Sequence, residues 1–503
     1  MKALVDQSSC RQQTVLEIRR LANQAFSRAA GAPLVEGNHI RLLKDARENY
    51  PAWLEAIAGA KHHIYFESYI IRDDFSGRRF ADALIAKAQE GVIVRLIYDW
   101  MGGLGNTSKL FWRRLRAGGA DVRCYNPPRI GNTLGWLSRD HRKMLSVDGQ
   151  VGFISGLCVG KMWEGVPEKG IEPWRDTGVE IRGMAVRDME LAFAQVWAMM
   201  GDPIPEQEID AMGLPQDSGD MSVRVVASLP STAGMFRLDQ LIAALATKRL
   251  WLTDAYFAGM SAYIQALMVA AKDGVDVRLL VPNSTDIPAI KPLSRAGYRT
   301  LLAAGVRVFE WNGTMLHAKT AVADGRWARV GSTNLNIASW FGNCELDAVI
   351  ENEAFARDME DMYVEDLTNA TEIVLDAKRK AYPIGPTRQP HRIMTSGGGS
   401  MGRAAAGAVR IGNTIGAAVT DRRVLEPTEM RITTTVGAVL LALAILLIFF
   451  PRILVYPIVV FFLWNAMVFF YKSFKLFRQS RIYHQSPDLE NEENETTSIA
   501  EEK

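Results

Sequence analysis

Short apolar runs alternate with amphipathic segments from about residue 35 to about residue 378. The runs 64–71 and 92–98 are rich in Val, Ile and Tyr and predict strands. The segments 79–89 and 110–117 carry apolar residues at helical spacing and predict helices. Strands that alternate with helices in this way indicate an α/β fold, in which helices cover both faces of a mixed or parallel sheet.

The order of predicted elements occurs twice along the chain. The segment EGVIVRLI at 90–97 is matched by DGVDVRLL at 273–280, and each leads from a predicted helix into a predicted strand. We therefore predict two repeats of one α/β/α fold, 35–215 and 216–378, which can pack about a pseudo-twofold axis. An amphipathic helix at 14–30, within an N-terminal segment 1–34, is expected to pack on this core and to end at Gly31.

Each repeat carries the same pattern of chemically active residues: a histidine, a lysine two positions later and an aspartate five positions after that. On a strand, side chains two residues apart point to the same side, so imidazole and ammonium converge. Imidazole can attack phosphorus or transfer a proton, and ammonium can neutralise phosphoryl oxygens, so the pattern indicates chemistry at a phosphate. The six candidate catalytic residues are His141, Lys143, Asp148, His317, Lys319 and Asp324.

The two His-x-Lys-x4-Asp patterns resemble the paired HxKxxxxD motifs of the phospholipase D superfamily. This resemblance implies that both repeats contribute to one active site at their seam. We expect one histidine to attack phosphorus, giving a covalent phosphohistidine, and the other to protonate the leaving alkoxide and then deprotonate the incoming alcohol or water. We favour His141 as the nucleophile and His317 as the acid and base, although the sequence equally allows the reverse. Asp148 and Asp324 are expected to hold turns rather than to do chemistry.

Further candidate residues follow each motif. The turn after the second motif carries Ser332 and Asn334, which we expect to bind phosphoryl oxygens together with the two lysines. The equivalent turn of the first repeat departs from this pattern, since it has Cys158 in place of the asparagine, and a thiol is a weaker donor than an amide. A nucleophilic imidazole also needs an acceptor that orients its other nitrogen. The resemblance offers Glu345 and Asp176 for this role.

Several stretches outside the motifs resemble bacterial cardiolipin synthases, namely EGNHIRLL at 36–43, FESYIIRDD at 66–74, FWRRLR at 111–116 and RDHRK at 139–143. The resemblance covers about 35–375. It implies that a phosphatidyl group is transferred from one phospholipid, such as phosphatidylglycerol, to the hydroxyl of a second. The alternatives are a membrane phospholipase D with water as acceptor, a nuclease of the same superfamily and a catalytically inactive membrane scaffold.

The C-terminal part of the chain differs in composition from the two repeats. A linker at 379–430 contains a Gly/Ser stretch, and two uncharged apolar runs, 433–450 and 453–471, follow it. Each run just spans a hydrocarbon core, so 431–474 is expected to form a hydrophobic helical hairpin that crosses a membrane, or alternatively dips into one leaflet. The basic residues after it place the catalytic domain on the cytoplasmic side of a bacterial inner membrane. The segment 475–503 is a basic and then acidic tail, expected to be disordered.

The composition also limits the partners. Lys and Arg number 58 against 56 Asp and Glu, and the resulting net charge of +2 does not indicate a nucleic-acid binder. The four cysteines form no CxxC, and no carboxylates or histidines have the spacing of a metal site. We expect phospholipids and a membrane as partners. We expect neither a metal nor another cofactor, because the two lysines supply the positive charge. The sequence does not indicate the oligomeric state.

Overall fold

The structure is a computed structural model that describes residues 20–128, 138–205, 218–287, 294–375 and 381–384, together with residue 208 and isolated positions between 441 and 470. The chain divides into two units, of which one comprises Met1–Pro127 and Leu137–Gly416 and contains both repeats. The other comprises Pro128–Trp136 and Ala417–Lys503, and is described only at Pro128 and at the isolated positions, which are helical.

The predicted hairpin at 431–474 and the tail at 475–503 lie outside the described residues, apart from those isolated positions. Among the residues that the structure does describe, no helix has both the length and the apolar character needed to cross a membrane. The first residues of the predicted linker, Ala381–Ile384, form a strand of the sheet, so the sheet extends past the predicted end of the second repeat at 378. The rest of the linker is not described.

In the residues that the structure describes, the first repeat contains seven strands, with helices between and after them. The strands are β1 Val35–Lys44, β2 His63–Ser68, β3 Ile93–Asp99, β4 Asp121–Tyr125, β5 Lys143–Val147, β6 Val151–Ser155 and β7 Thr177–Gly183. The helices are Asp45–Gly59, Phe75–Gln89, Trp100–Gly103, Lys109–Ala117, Lys161–Glu164 and Ala185–Ala198, with a 3-10 turn at Pro167–Lys169.

The second repeat has the same order of elements. Its strands are β8 Met221–Ser228, β9 Arg249–Thr253, β10 Asp276–Pro282, β11 Arg307–Trp311, β12 Thr320–Ala323, β13 Trp327–Gly331 and β14 Glu345–Glu351, followed by β15 Ala370–Leu375 and β16 Ala381–Ile384. The helices are Gly234–Leu245, Ser261–Lys272, Tyr298–Ala303 and Glu353–Leu367, with a π-helical turn at Ala338–Gly342.

All sixteen strands belong to one mixed sheet with the order β16-β15-β11-β10-β9-β12-β13-β14-β8-β1-β7-β6-β5-β2-β3-β4. The two repeats meet where β1 pairs antiparallel with β8, and outward from this pair the order of equivalent strands is the same on both sides. Such an order is expected for two repeats about a pseudo-twofold axis. The predicted mixed α/β fold is therefore confirmed.

Local sequence features explain where two of the helices begin and why β2 is buried. The helix Phe75–Gln89 begins where the side chain of Asp74 accepts a hydrogen bond from the backbone of Gly77, and the helix Lys109–Ala117 begins where Ser108 caps Phe111 in the same way. All six residues of β2 are buried, because helices cover both faces of the sheet at this strand. Each large apolar side chain buried there contributes about 1.5–3 kcal/mol.

Residues 20–30 are helical and Gly31 follows with a φ of +71°, as predicted for the end of the N-terminal helix. Phe26 of this helix packs against the core of the second repeat. The predicted first turns, 14–19, lie outside the described residues.

One boundary prediction was wrong in an informative way. The strand predicted for 64–71 ends early, at Ser68, and the equivalent strand β9 ends at Thr253. The chain leaves the sheet at these two points and brings Tyr69 and Tyr256 against the catalytic-motif histidines.

Candidate active site

The two motif histidines are held by backbone hydrogen bonds that cross between the repeats. The backbone N–H of His141 donates to the carbonyl of Cys344 at 2.9 Å, and the N–H of Cys344 donates to Arg139 at 2.8 Å. In the second repeat, His317 donates to the carbonyl of Arg175 at 2.7 Å. Each histidine therefore lies just before its strand, not within it as predicted, and is bound to a segment of the other repeat. The crossing fixes both histidines at one seam.

Each histidine side chain is paired with a carboxylate from the other repeat. Nδ1 of His141 lies 2.9 Å and 3.1 Å from the two carboxylate oxygens of Glu345. Nδ1 of His317 lies 2.7 Å from Oδ2 of Asp176. Both carboxylates are fully buried. The two candidates for orienting the histidines are thus brought to them, but exchanged between the repeats, which the sequence did not indicate.

Other donors hold these carboxylates in place. Ser332 donates its hydroxyl hydrogen to Oε2 of Glu345 at 2.6 Å, and the amide of Asn343 donates to Oε1 at 3.1 Å. The hydroxyl oxygen of Ser332 also accepts a hydrogen bond from the backbone of Leu346 at 2.9 Å. Ser332 therefore supports Glu345, and its predicted contact with phosphate stays a prediction. The indole of Trp163 donates to Oδ2 of Asp176 at 3.1 Å.

The two motif lysines also lie at this seam. Each ammonium donates to the backbone carbonyl of its own motif histidine. Nζ of Lys319 additionally lies 3.0 Å from Nδ1 and 3.2 Å from Nε2 of His317. The rings of Tyr69 and Tyr256 lie under Lys143 and Lys319, with 5.4 Å and 5.9 Å from ammonium to ring centroid. Burial lowers the pKa of Lys319 to about 8, against the opposing charge of Asp176.

Burial and the neighbouring charges shift the pKa values of the site toward neutral imidazoles and ionised carboxylates. Burial and the charge of Lys319 lower the pKa of His317 to about 3, although Asp176 acts in the opposite direction. Burial likewise lowers the pKa of His141, against the opposing charge of Glu345. Burial alone raises the pKa of a carboxyl group, but the facing histidines and lysines outweigh it and lower the pKa of Glu345 and of Asp176. The charge of each motif lysine also acts to lower the pKa of the histidine in the other repeat.

Asp148 and Asp324 lie at the other end of their strands, away from the histidines. Both adopt positive φ, 55° and 52°, and each precedes a glycine that also has positive φ. Asp148 accepts hydrogen bonds from the backbone of residues 61–63 at 2.8–2.9 Å, and Asp324 accepts from residues 247–249 at the same distances. The structure thus places both aspartates in turns that anchor the start of β2 and of β9, as expected, and neither reaches the histidines.

The turns after the two motifs differ as the sequence indicated. Asn334 is only 4% exposed, and its side-chain oxygen has no hydrogen-bond partner among the described residues. Cys158, at the equivalent position, is buried, and burial raises the pKa of its thiol even though both motif lysines act to lower it. A thiol that keeps its proton is a weak donor and a poor nucleophile.

Sequence analysis missed the aromatic residues of the site. Tyr69 lies with its ring 5.1 Å from that of His141, and Tyr256 lies 5.7 Å from His317. Trp163 and Trp174 also border His317, at 5.5 Å and 5.6 Å between ring centroids. An alignment of the two repeats could have found the tyrosines, since each follows the end of an equivalent strand. The tryptophans lie in the connection between β6 and β7, which is longer than its equivalent in the second repeat, so the two repeats do not align along its whole length.

No group of three or more histidine, cysteine or carboxylate side chains that could hold a metal ion occurs in the part of the chain that the structure describes.

The comparisons with known proteins agree with this geometry. A family model described as cardiolipin synthase, PLD-like domain, matches residues 53–160 and 239–367. The cardiolipin synthase of Alkalihalophilus pseudofirmus is 34% identical over 347 residues, which are 68% of this chain and 68% of that protein. The cardiolipin synthase of Halalkalibacterium halodurans is 33% identical over 353 residues, 69% of each chain.

A solved structure shows the same fold. The phosphatidylserine synthase of Haemophilus influenzae superposes with a TM-score of 0.56 at 14% identity, covering 71% of this chain and 93% of that one. Two repeats that share a paired His-Lys site define the protein as a phospholipase D-type enzyme. Within this superfamily, the chain belongs to the cardiolipin synthase family.

Proposed function

We propose that the protein is a membrane-associated phosphatidyltransferase that makes cardiolipin from two phosphatidylglycerol molecules. The observation that carries the proposal is the pair of His-carboxylate dyads, exchanged between the repeats and flanked by two lysines at one seam. Two oriented imidazoles beside two ammonium groups supply a nucleophile, an acid-base group and charge stabilisation for a phosphodiester. The similarity to cardiolipin synthases supports a phosphatidyl group as the group that is transferred.

In the first step, Nε2 of one histidine attacks phosphorus and the bond from phosphorus to the glycerol oxygen breaks. The other histidine donates a proton to the departing glycerol. The anionic phosphodiester adds negative charge beside that imidazole, which raises its pKa and lets it carry the proton. Lys143, Lys319 and Asn334 stabilise the charge on the phosphoryl oxygens.

In the second step, the hydroxyl of another phosphatidylglycerol attacks phosphorus and the bond to the histidine nitrogen breaks. The hydroxyl proton returns to the acid-base histidine, so that the enzyme is regenerated and cardiolipin leaves. If water takes the place of the lipid hydroxyl, the product is phosphatidic acid and the enzyme acts as a phospholipase D.

We assign His141 as the nucleophile and His317 as the acid and base. Nε2 of His317 lies 3.2 Å from the ammonium of Lys319, which competes for the lone pair that a nucleophile needs. Within the described residues, we find no hydrogen-bond donor at Nε2 of His141. The side chain of His141 is also more exposed, 12% against 6% for His317, which favours the approach of a lipid phosphate.

We further propose that the apolar segment 431–474 anchors the enzyme in a bacterial inner membrane, with both repeats on the cytoplasmic side. Its uncharged runs and the basic residues that follow support this arrangement. An anchor on the same chain as the site suits a substrate that stays in the bilayer. Cysteine labelling of intact and lysed cells, at positions introduced on the repeats, tests it: we expect labelling only after lysis.

The enzymatic proposal is tested by reconstituting the full-length protein with phosphatidylglycerol, with and without phosphatidylethanolamine, and analysing the lipids by mass spectrometry. We expect cardiolipin and free glycerol from the wild type and neither from His141→Ala or His317→Ala. Phosphatidic acid without cardiolipin would mean that water is the acceptor. No product from either lipid would contradict the proposal.

A further inference from the structure

One connection at the site is longer than its equivalent in the other repeat. The connection between β6 and β7 spans residues 156–176, whereas the connection between β13 and β14 spans 332–344. The two connections begin and end alike. The backbone N–H of Gly156 donates to the carbonyl of Thr177, and the backbone N–H of Ser332 donates to the carbonyl of Leu346, both at 3.0 Å. The additional residues of the first connection therefore form an insertion between two fixed points.

The insertion places two tryptophans against a histidine of the other repeat. The rings of Trp163 and Trp174 contact each other at 4.9 Å and His317 at 5.5 Å and 5.6 Å between centroids. Tyr256 borders the same imidazole at 5.7 Å. The ring found against His141 among the described residues is that of Tyr69.

The rings of Trp163, Trp174 and Tyr256 form an aromatic wall beside His317, and its two tryptophans are buried and fixed by hydrogen bonds of their connection. Trp163 is 1% exposed and Trp174 is 4% exposed. The backbone N–H of Trp174 donates to the carbonyl of Met162 at 3.0 Å, and this hydrogen bond joins the two sides of the longer connection. Glu164 accepts a hydrogen bond from Ser76 at 2.7 Å, so the short helix Lys161–Glu164 is fixed to the first repeat.

The location of this wall bears on the choice between two acceptors. In the second step, whichever hydroxyl lies at the acid-base histidine loses its proton and attacks phosphorus. Water is present in large molar excess, so transfer to a lipid requires that water be kept from this position. Three aromatic rings beside His317 fill the space next to the imidazole with apolar groups, so a water molecule there gains few hydrogen bonds.

We propose that Trp163 and Trp174 determine acceptor specificity by excluding water from His317, so that the phosphatidyl group passes to a lipid hydroxyl. This inference rests on the proposed function and on His317 as the base. In the specified step, the oxygen of the lipid hydroxyl bonds to phosphorus, the bond from phosphorus to His141 breaks and the hydroxyl proton moves to His317. Trp163 also acts as a positioning residue, because its indole N–H donates a hydrogen bond to Asp176, the carboxylate that orients His317.

The test measures the ratio of phosphatidic acid to cardiolipin made by full-length variants in phosphatidylglycerol bilayers. We expect Trp163→Leu and Trp174→Leu to raise this ratio at least tenfold. Trp163→Phe keeps a ring but loses the hydrogen bond to Asp176, so it should slow turnover and leave the ratio near the wild-type value.

The matched control is Trp340→Leu. Trp340 lies on the equivalent connection of the second repeat and is just as buried, but it packs on Phe236 and Tyr263 instead of a histidine. We expect its ratio to equal that of the wild type.

An unchanged ratio in both Trp163→Leu and Trp174→Leu, with cardiolipin still produced, would overturn the inference. If both variants are inactive, Trp174→Met, which removes the ring but keeps most of the apolar volume, decides: a ratio above the wild-type value supports the inference, and an unchanged ratio contradicts it. A wild type that makes no cardiolipin would instead refute the proposed function.

Discussion

The two halves of the active site carry the same motif in different surroundings. In the first half, the side chain of His141 is 12% exposed and bordered by Tyr69. In the second half, the side chain of His317 is 6% exposed, is enclosed by two tryptophans and Tyr256, and has the ammonium of Lys319 at its ring nitrogens. A duplicated motif supplies identical groups, and their environment then separates the roles of those groups. The predictions below test this separation.

The largest effect is expected from removing either histidine. His141→Ala and His317→Ala should each lower turnover at least about 10⁴-fold, because one loses the nucleophile and the other the proton transfers. Cardiolipin formation in reconstituted bilayers measures this. Full activity in either variant would contradict the two-histidine mechanism.

The next largest effect concerns the two carboxylates. Glu345→Gln and Asp176→Asn keep the shape of each side chain but remove the charge that orients and polarises the imidazole, and should cost about 10²–10⁴-fold in turnover. Ser332→Ala, which removes only a donor to Glu345, is the milder comparison and should cost less than Glu345→Gln. Equal losses in these two variants would mean that Ser332 does more than support Glu345.

The lysines distinguish the halves through pH. Because burial lowers the pKa of Lys319 to about 8, its ammonium is present below that pH and is lost as the pH rises through it. We therefore expect kcat/KM of the wild type to fall above about pH 8. Lys319→Arg keeps its charge at every pH tested and should remove this alkaline limb, whereas Lys143→Arg should leave it in place. A limb that persists in Lys319→Arg would assign it to another group.

The smallest effect on chemistry is expected at the turns. Asp148→Ala and Asp324→Ala remove acceptors from three backbone N–H groups each and should destabilise the fold by about 1–3 kcal/mol. Thermal unfolding should show a lower midpoint, while turnover per folded molecule at low temperature stays close to that of the wild type. A loss of turnover without a loss of stability would indicate that the aspartates take part in catalysis.

Much of this arrangement could be predicted from the sequence because it is repeated. The duplication revealed both motifs, and the strand predicted at 92–98 is observed at Ile93–Asp99. Glu345 and Asp176 were identified as candidates for orienting the histidines. Their exchange between the repeats could not be predicted, because spacing along the chain does not say which repeat a side chain faces.

Other features depend on packing that leaves little trace in local pattern. The hydroxyl of Ser332 looks available for phosphate until the buried carboxylate of Glu345 is placed beside it. Trp163 and Trp174 lie in a connection that is longer than its equivalent in the second repeat, so a comparison of the repeats does not single them out.

The unequal roles of the two histidines are tested most directly by trapping the covalent intermediate. The wild type would be mixed with phosphatidylglycerol labelled in its phosphatidyl phosphorus, quenched in alkali to preserve phosphohistidine, and digested for peptide mapping. We predict label on the peptide that contains His141, and none on the peptide that contains His317. Label on His317 would contradict the assignment and would place the nucleophile inside the aromatic wall.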